Sequence, residues 1–313
     1  MSTLWQKDIH RGDRLFQFVL RACAIAAMVL LLFMVVNLGY RSWPAFKVFG
    51  LKFFVSSDWD PVNDQFGVVS FVYGTLVSSA LALLIAVPVS VGSALCLTEL
   101  APRRISAVLG FLIEMLAAIP SVVYGLWGIF VLAPLMRETV QPFLGKYLGW
   151  IPLFSGPAYG VGMLTAGILL AIMIIPTILS ISREVFFAIP RAQREAALAL
   201  GATRFETLWI AVVKSSVSGL FGASVLGLAR AFGETMAVTM VIGNRAEVAV
   251  SLFAPGQTMA SVIANEYAEA TTDIHLAALG AVGVTLFLVS WLINSTARAI
   301  VSRSERRGGA GGR

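Results

Sequence analysis

The chain has 313 residues, of which 58% are hydrophobic and 13% charged, and it carries a formal net charge of +6. Soluble globular domains carry about 25% charged residues; half that share, with a mean hydropathy of +0.84, excludes an ordinary soluble protein and points to a lipid bilayer as its solvent. The basic residues lie between apolar runs and form no single patch, which argues against a nucleic-acid partner. The two cysteines, Cys23 and Cys96, lie in apolar stretches and the two histidines, His10 and His275, in polar ones, so no disulfide framework, zinc site or haem site is encoded.

A bilayer core about 30 Å thick needs roughly 20 mostly apolar helical residues. The sequence offers six such stretches: Ala22 to Gly39, Val68 to Leu95, Ile105 to Met136, Ala158 to Ser180, Val217 to Val241 and Leu276 to Ile300. The second and third are long enough to tilt or break near Pro88 and Pro120. The first lacks a small-residue cleavage site and reads as a retained helix. Fold class is therefore all-α integral membrane, with residues 1–21 as an N-terminal tail, 22–300 as a six-helix transmembrane domain and 301–313 as a disordered tail.

Counting Lys and Arg in alternate loops sets the orientation. One side collects 16, including Arg103, Arg104, the loop from Arg183 to Lys214 and the C-terminal arginines; the other holds six and eight of the 17 acids. Both termini are predicted to be cytoplasmic. No internal repeat is visible, and no phosphate-binding loop of the G-x-x-x-x-G-K-[ST] type occurs, so any ATP must be bound by another subunit.

The basic-side loop at about 181–214 is not built as a linker. Pro190 opens a run of Arg194, Glu195, Ala196, Ala197, Leu198, Ala199 and Leu200 that Gly201 stops, and Phe205, Leu208 and Trp209 then share one face of a second helical piece. Composition alone leaves two readings, a surface helix-turn-helix connection or a rigid docking knob. Glu195-Ala196-Ala197, three residues, then Gly201 resembles the EAA motif of binding-protein-dependent ABC importer permeases, with Ala211-Val212-Val213-Lys214 where that family has Ile-x-Leu-Pro.

Further segments resemble the PstC-type permease family of phosphate ABC importers. They are Trp59-Asp60-Pro61, Phe66-Gly67, Tyr73-Gly74-Thr75-Leu76, Ala117 through Gly128, Arg230-Ala231-Phe232-Gly233-Glu234-Thr235 and Met259 through Glu266. The resemblance runs from about Phe53 to Trp291. It implies a MetI-like fold in the bacterial cytoplasmic (inner) membrane. It also implies phosphate import by alternating access, with no cofactor in this chain because ATP and Mg are bound by a partner ATPase. The implied partners are a PstA-like second permease, a PstB-like ATPase dimer and a PstS-like phosphate-binding protein, with Glu195, Ala196, Ala197 and Gly201 coupling to the ATPase. Permeases for sulfate, molybdate or phosphonate, a passive anion channel and a membrane enzyme are the alternatives.

Three ionisable residues fall inside the expected spans: Glu114, Arg230 and Glu234. Each costs at least about 2.5 to 3.5 kcal/mol near the bilayer centre, so each is a candidate for the substrate path. Arg230 and Glu234 are one turn apart on a continuous helix and can pair there, either to line the path or to pin packing. A guanidinium fork matches phosphate oxygens, and a neighbouring carboxylate can hold the fork when no anion is bound. Glu114 is placed about 13 Å along the third span, facing Arg230 or serving as a packing glutamate.

Overall fold

The computed structural model describes residues 3–309. Helix α1 (Thr3–Phe49) leads through a 3-10 turn into a two-stranded hairpin, β1 (Trp59–Asp60) and β2 (Gln65–Phe66), paired antiparallel with Trp59 opposite Phe66. There follow α2 (Val69–Leu95), ending in a π turn to Leu100, and α3 (Arg103–Ala117). A helical rod spans Ser121–Leu148 and comprises α4 (Ser121–Trp127), α5 (Ala133–Leu135) and α6 (Gln141–Leu148). Pro134 and Pro142 each remove a ladder N–H, and a five-residue π turn precedes each of them. Then come α7 (Met163–Phe187), α8 (Arg191–Ala199), α9 (Arg204–Thr207), α10 (Val217–Gly233), α11 (Met236–Val241), α12 (Met259–Glu266) and α13 (Asp273–Gly309).

Among the described residues, six helical segments are long and apolar enough to cross a membrane: Leu15–Phe54, Val69–Leu100, Ser121–Leu148, Met163–Phe187, Arg204–Gly233 and Asp273–Ala299. The number agrees with the sequence, but two boundaries change the chemistry. The third expected span, Ile105 to Met136, is two helices. Pro120 has no N–H and disfavours the helical conformation at Ile119, so α3 stops at Ala117 and a new helix starts at Ser121. Fifteen residues rise only about 22 Å, so α3 does not span. The fifth expected span is also interrupted: Glu234 is extended (φ −72°, ψ 124°) between α10 and α11. At the chain ends, helix α1 already begins at Thr3 and α13 runs through Gly309. The last four residues of the expected C-terminal tail lie outside the described residues.

Helix α7 is the axis of the bundle, with two thirds of its most apolar window buried, and α2 makes its most extensive contact. Lipid offers no hydrophobic drive for helices to associate, so close backbone approach by small residues has to supply the packing. The buried face of α2 carries Ser70, Gly74, Ser78, Ala82, Ala86, Ser90 and Ala94, each four residues after the last. Ser90 Oγ donates to the Ile175 carbonyl of α7 (3.1 Å), and on α7 a Cβ at Gly167 would overlap Leu81 of α2. At Gly74 a Cβ would collide with the backbone carbonyl of Gln257. By contrast α1 packs mainly along α13, and its Leu, Phe and Met side chains from Leu15 to Met34 remain exposed.

Because the atom facing Gly74 is backbone, it cannot rotate away. We expect Gly74→Leu to destabilise the chain by at least about 1 to 3 kcal/mol through overpacking, seen as a lowered thermal midpoint in detergent. An unchanged midpoint would mean that this contact is not tight.

Candidate functional site

Three polar regions sit on this scaffold. The first surrounds the interruption after α10. Arg230, in the last turn of α10 and half-buried, donates from Nη1 to Thr177 Oγ1 of α7 (3.0 Å). Its charge also lies within electrostatic reach of Tyr124 on α4. Thr177 directly follows Pro176 in the middle of the most buried helix. Glu234 is not paired with Arg230, although a continuous helix would have allowed it. Its Oε1 instead accepts the Ala237 N–H (3.2 Å) in the first turn of α11. In an unbroken helix that N–H would bond the Gly233 carbonyl; here the carboxylate takes over. The interrupted segment lies close to α4, where Gly125 leaves room for Ala237 and Met240.

Glu114 does not join this group. It lies on α3, is exposed, and makes neither a hydrogen bond nor an ion pair with Arg230 or Glu234. Its expected position assumed a span continuing past Pro120. Tyr124 replaces it as the link between α3 and this region: its hydroxyl donates to the Leu116 carbonyl (2.9 Å), the group that would have bonded the missing N–H of Pro120.

The second region is the loop after α7. Helix α8 starts behind Pro190 and ends at Gly201, whose φ of +86° is the left-handed conformation that favours glycine. Gly201 N–H donates to the Leu198 carbonyl and Ala202 N–H to the Ala197 carbonyl, a Schellman stop. Thr203 then caps α9 in a reciprocal box with Glu206. Glu195 and Ala196 are exposed and Ala197 is half-buried. Leu200 is 90% exposed and Phe205 75%, whereas Leu208 packs inward against the cluster containing Phe186 and Val212.

Sequence reasoning overlooked what anchors this loop. Arg194 reaches back to Glu99 at the end of α2 (2.5 Å) and to the carbonyls of Ile189 (2.8 Å) and Phe186 (3.2 Å). The Phe186 carbonyl lacks the helical N–H that Pro190 cannot supply and also accepts the Ile189 N–H (3.3 Å). Glu99 and Arg194 are 95 residues apart, and no spacing pattern announces such a pair. Thr177 was equally silent, being a common residue in an apolar helix.

The third region lies at the opposite end of the loop order. Glu266 Oε2 accepts Trp59 Nε1–H (2.8 Å) and lies 3.0 Å from His275 Nε2, joining the hairpin to α12 and α13. Trp59, Phe66, Phe71 and His275 pack edge-to-face or stacked around it. Asp60 closes the hairpin turn. The Asn63 side-chain amide, with the backbone N–H groups of Asn63 and Val62, holds its carboxyl below the ordinary carboxylate range.

Among the described residues, no three His, Cys, Asp or Glu side chains converge as a metal site requires. Cys23 and Cys96 are free and exposed.

Known proteins share this chain's sequence and fold. The family described as binding-protein-dependent transport system inner membrane component matches residues 86–307. The phosphate transport system permease protein PstC of Mesorhizobium japonicum is 44% identical over 302 residues, covering 95% of this chain and 92% of that protein. That of Pasteurella multocida is 44% identical over 304 residues, covering 96% and 95%. PstC 2 of Mycobacterium tuberculosis is 42% identical over 302 residues, covering 94% and 93%. Among solved structures, an inward-facing MetNI methionine ABC transporter chain matches with a TM-score of 0.52 at 19% identity, over 76% of this chain and 94% of that one. A bacterial ABC transporter that imports alginate matches with a TM-score of 0.56 at 16% identity, over 96% and 98%. These two share the fold.

The anchoring role of Arg194 has a direct readout. Arg194→Met would strand Glu99 and free two carbonyls, costing on the order of 2 kcal/mol locally. Limited trypsin digestion should then cut after Arg191 and Arg204 several-fold faster than in the parent chain; equal rates would show that the loop is held by other contacts.

Proposed function

Because the chain belongs to the PstC family of binding-protein-dependent inner-membrane permeases, we propose that it forms half of a phosphate pathway in which Arg230 is the anion contact and Glu234 its gate-keeper. As a permease subunit it translocates and does not catalyse; ATP hydrolysis lies in a separate subunit. ATP and Mg are assigned to a PstB-like ATPase dimer, delivery to a PstS-like binding protein, and the other half of the path to a PstA-like permease. The positive-inside count assigns both termini and α8 to the cytoplasm.

One observation carries this reading: Arg230 sits at a helix break inside the bundle, and its hydrogen-bond partner is a neutral hydroxyl. A guanidinium held only by Thr177 keeps most of its donor fork for an incoming oxyanion, and in a low-dielectric site such charge-assisted bonds are strong. An arginine with no competitor would hold phosphate too long. Glu234, four residues on and parked on the Ala237 N–H, supplies the competitor. When the break straightens towards a helix, Glu234 comes one turn from Arg230 and displaces the anion. The exchange gives Arg230 an anionic partner both when phosphate is bound and after Glu234 displaces it, which a partly buried guanidinium favours. Exposed Leu200 and Phe205 beside Glu195 give the ATPase an apolar edge to seat against, so movement of α8 is passed through Arg194 and Glu99 to α2 and α7.

Glu114, exposed on α3, has no assigned part in the exchange and is offered to the second permease or to lipid.

Arg230→Gln keeps hydrogen-bond donors but loses the charge and the fork. We expect an assembled complex with phosphate uptake lowered at least 100-fold, and poor rescue by Arg230→Lys, whose point charge cannot grip two oxygens. Uptake within a few-fold of the parent in Arg230→Gln would overturn the reading.

A further inference from the structure

At the end of the bundle that carries α8, a cleft of about 670 Å³ opens between the last turns of α2 and α7, the start of α3 and the beginning of α8. Its polar lining is Glu99, Ser106, Arg183, Arg191, Arg194 and Glu195, with Thr98, whose hydroxyl is spent on the Ala94 and Leu95 carbonyls of its own helix. The pair of Arg194 and Glu99 consumes one charge of each sign. Two cations, Arg183 and Arg191, then face the single carboxylate of Glu195.

Arg183 is the least satisfied of these. Its guanidinium lies 5.5 Å from the centroid of the Phe187 ring, and it fits against α3 only because residue 110 is glycine, where a Cβ would overlap Nη1. The Nε is buried without a hydrogen-bond partner, and no carboxylate pairs with the group. Neighbouring Arg194 has two carbonyls and a carboxylate. A half-buried guanidinium with idle donors is costly unless something occupies them. Ser106, 7% exposed on the facing wall, also keeps its hydroxyl free of protein partners.

We propose that this cleft is a second anion site, separate from the Arg230 region, that binds a phosphate group. Arg183 is the anchor, and Arg191 and Ser106 complete the shell. A planar fork, a second cation and a hydroxyl donor match a tetrahedral oxyanion with several acceptor oxygens. Two sources carry that chemistry: inorganic phosphate on the α8 side, and the headgroup of an anionic phospholipid, since the cleft lies at the ends of two membrane-spanning helices. Either occupant bridges α3 to α8 and ties the docking loop to the helix that ends at the Pro120 break. The assignment of sides rests on the function proposed above; the binding itself does not.

The test uses the chain assembled with its partner subunits, without the binding protein, in nanodiscs of phosphatidylcholine alone. Equilibrium binding of radiolabelled inorganic phosphate should resolve a class of sites weakened about tenfold or more by Arg183→Gln and by Arg191→Gln, and left intact by Arg230→Gln. If the headgroup is the occupant, discs containing phosphatidylglycerol should instead show that lipid retained by the parent complex in native mass spectrometry and lost from both variants. Arg191 is exposed on α8, so Arg191→Gln decides the matter even if Arg183→Gln fails to assemble. Unchanged phosphate binding and unchanged lipid retention in an assembled Arg191→Gln complex would overturn the proposal. Failure of the Arg230 reading would show separately, as normal uptake by Arg230→Gln.

Discussion

A backbone polar group in the hydrocarbon of a bilayer has no water to bond, and each one left unsatisfied costs several kcal/mol. The breaks in this bundle are organised around that constraint. Pro120 and Pro190 both follow Ala-Ile, both adopt nearly the same backbone (φ −58°, ψ 140° and φ −61°, ψ 139°), and both lack the N–H that would bond the carbonyl four residues earlier, which accepts the preceding isoleucine N–H instead (3.3 Å in each case). In both cases a side chain four residues later completes the repair with a second donor: Tyr124 donates to the Leu116 carbonyl, and Arg194 donates to the Phe186 carbonyl. One local device thus serves twice, once under the region around Arg230 and once at the root of the loop after α7. The third break, at Glu234, is repaired by its own carboxylate on the Ala237 N–H.

These repairs are also the parts that can exchange partners. In the proposed exchange Glu234 releases the Ala237 N–H to the carbonyl that a straightened helix provides, and the freed carboxylate then meets Arg230. Arg194 couples the loop's attitude to Glu99 at the end of α2, and α2 packs along α7, which carries Thr177. Small residues at four-residue spacing let α2 pack closely along α7. A push on α8 therefore has a continuous route of charged and close-packed contacts to the hydroxyl that steadies Arg230.

Much of this is legible in the sequence. Six apolar runs, the stop at Gly201 and the restart beyond it follow from hydropathy, positive φ and capping chemistry, all local in sequence. Pro120 was visible too, but proline alone does not say whether a helix kinks or ends, and the continuous reading carried Glu114 towards a partner it does not meet. The break at Glu234 has only Gly233 beside it as a signal. Thr177 for Arg230, Glu99 for Arg194, and Glu266 joining Trp59 to His275 lie between elements far apart in the chain. Such pairings are set by tertiary packing, which spacing within one helix does not encode.

The most direct test of the Arg230 and Glu234 exchange is phosphate uptake by the double variant Arg230→Gln, Glu234→Gln, at membrane abundance matched to the parent. If the two residues work on the anion, removing both charges leaves an assembled and inactive complex, because no fork remains to receive phosphate. If they serve only to balance each other within the bundle, neutralising both together restores stability and transport, and recovered uptake would contradict the account.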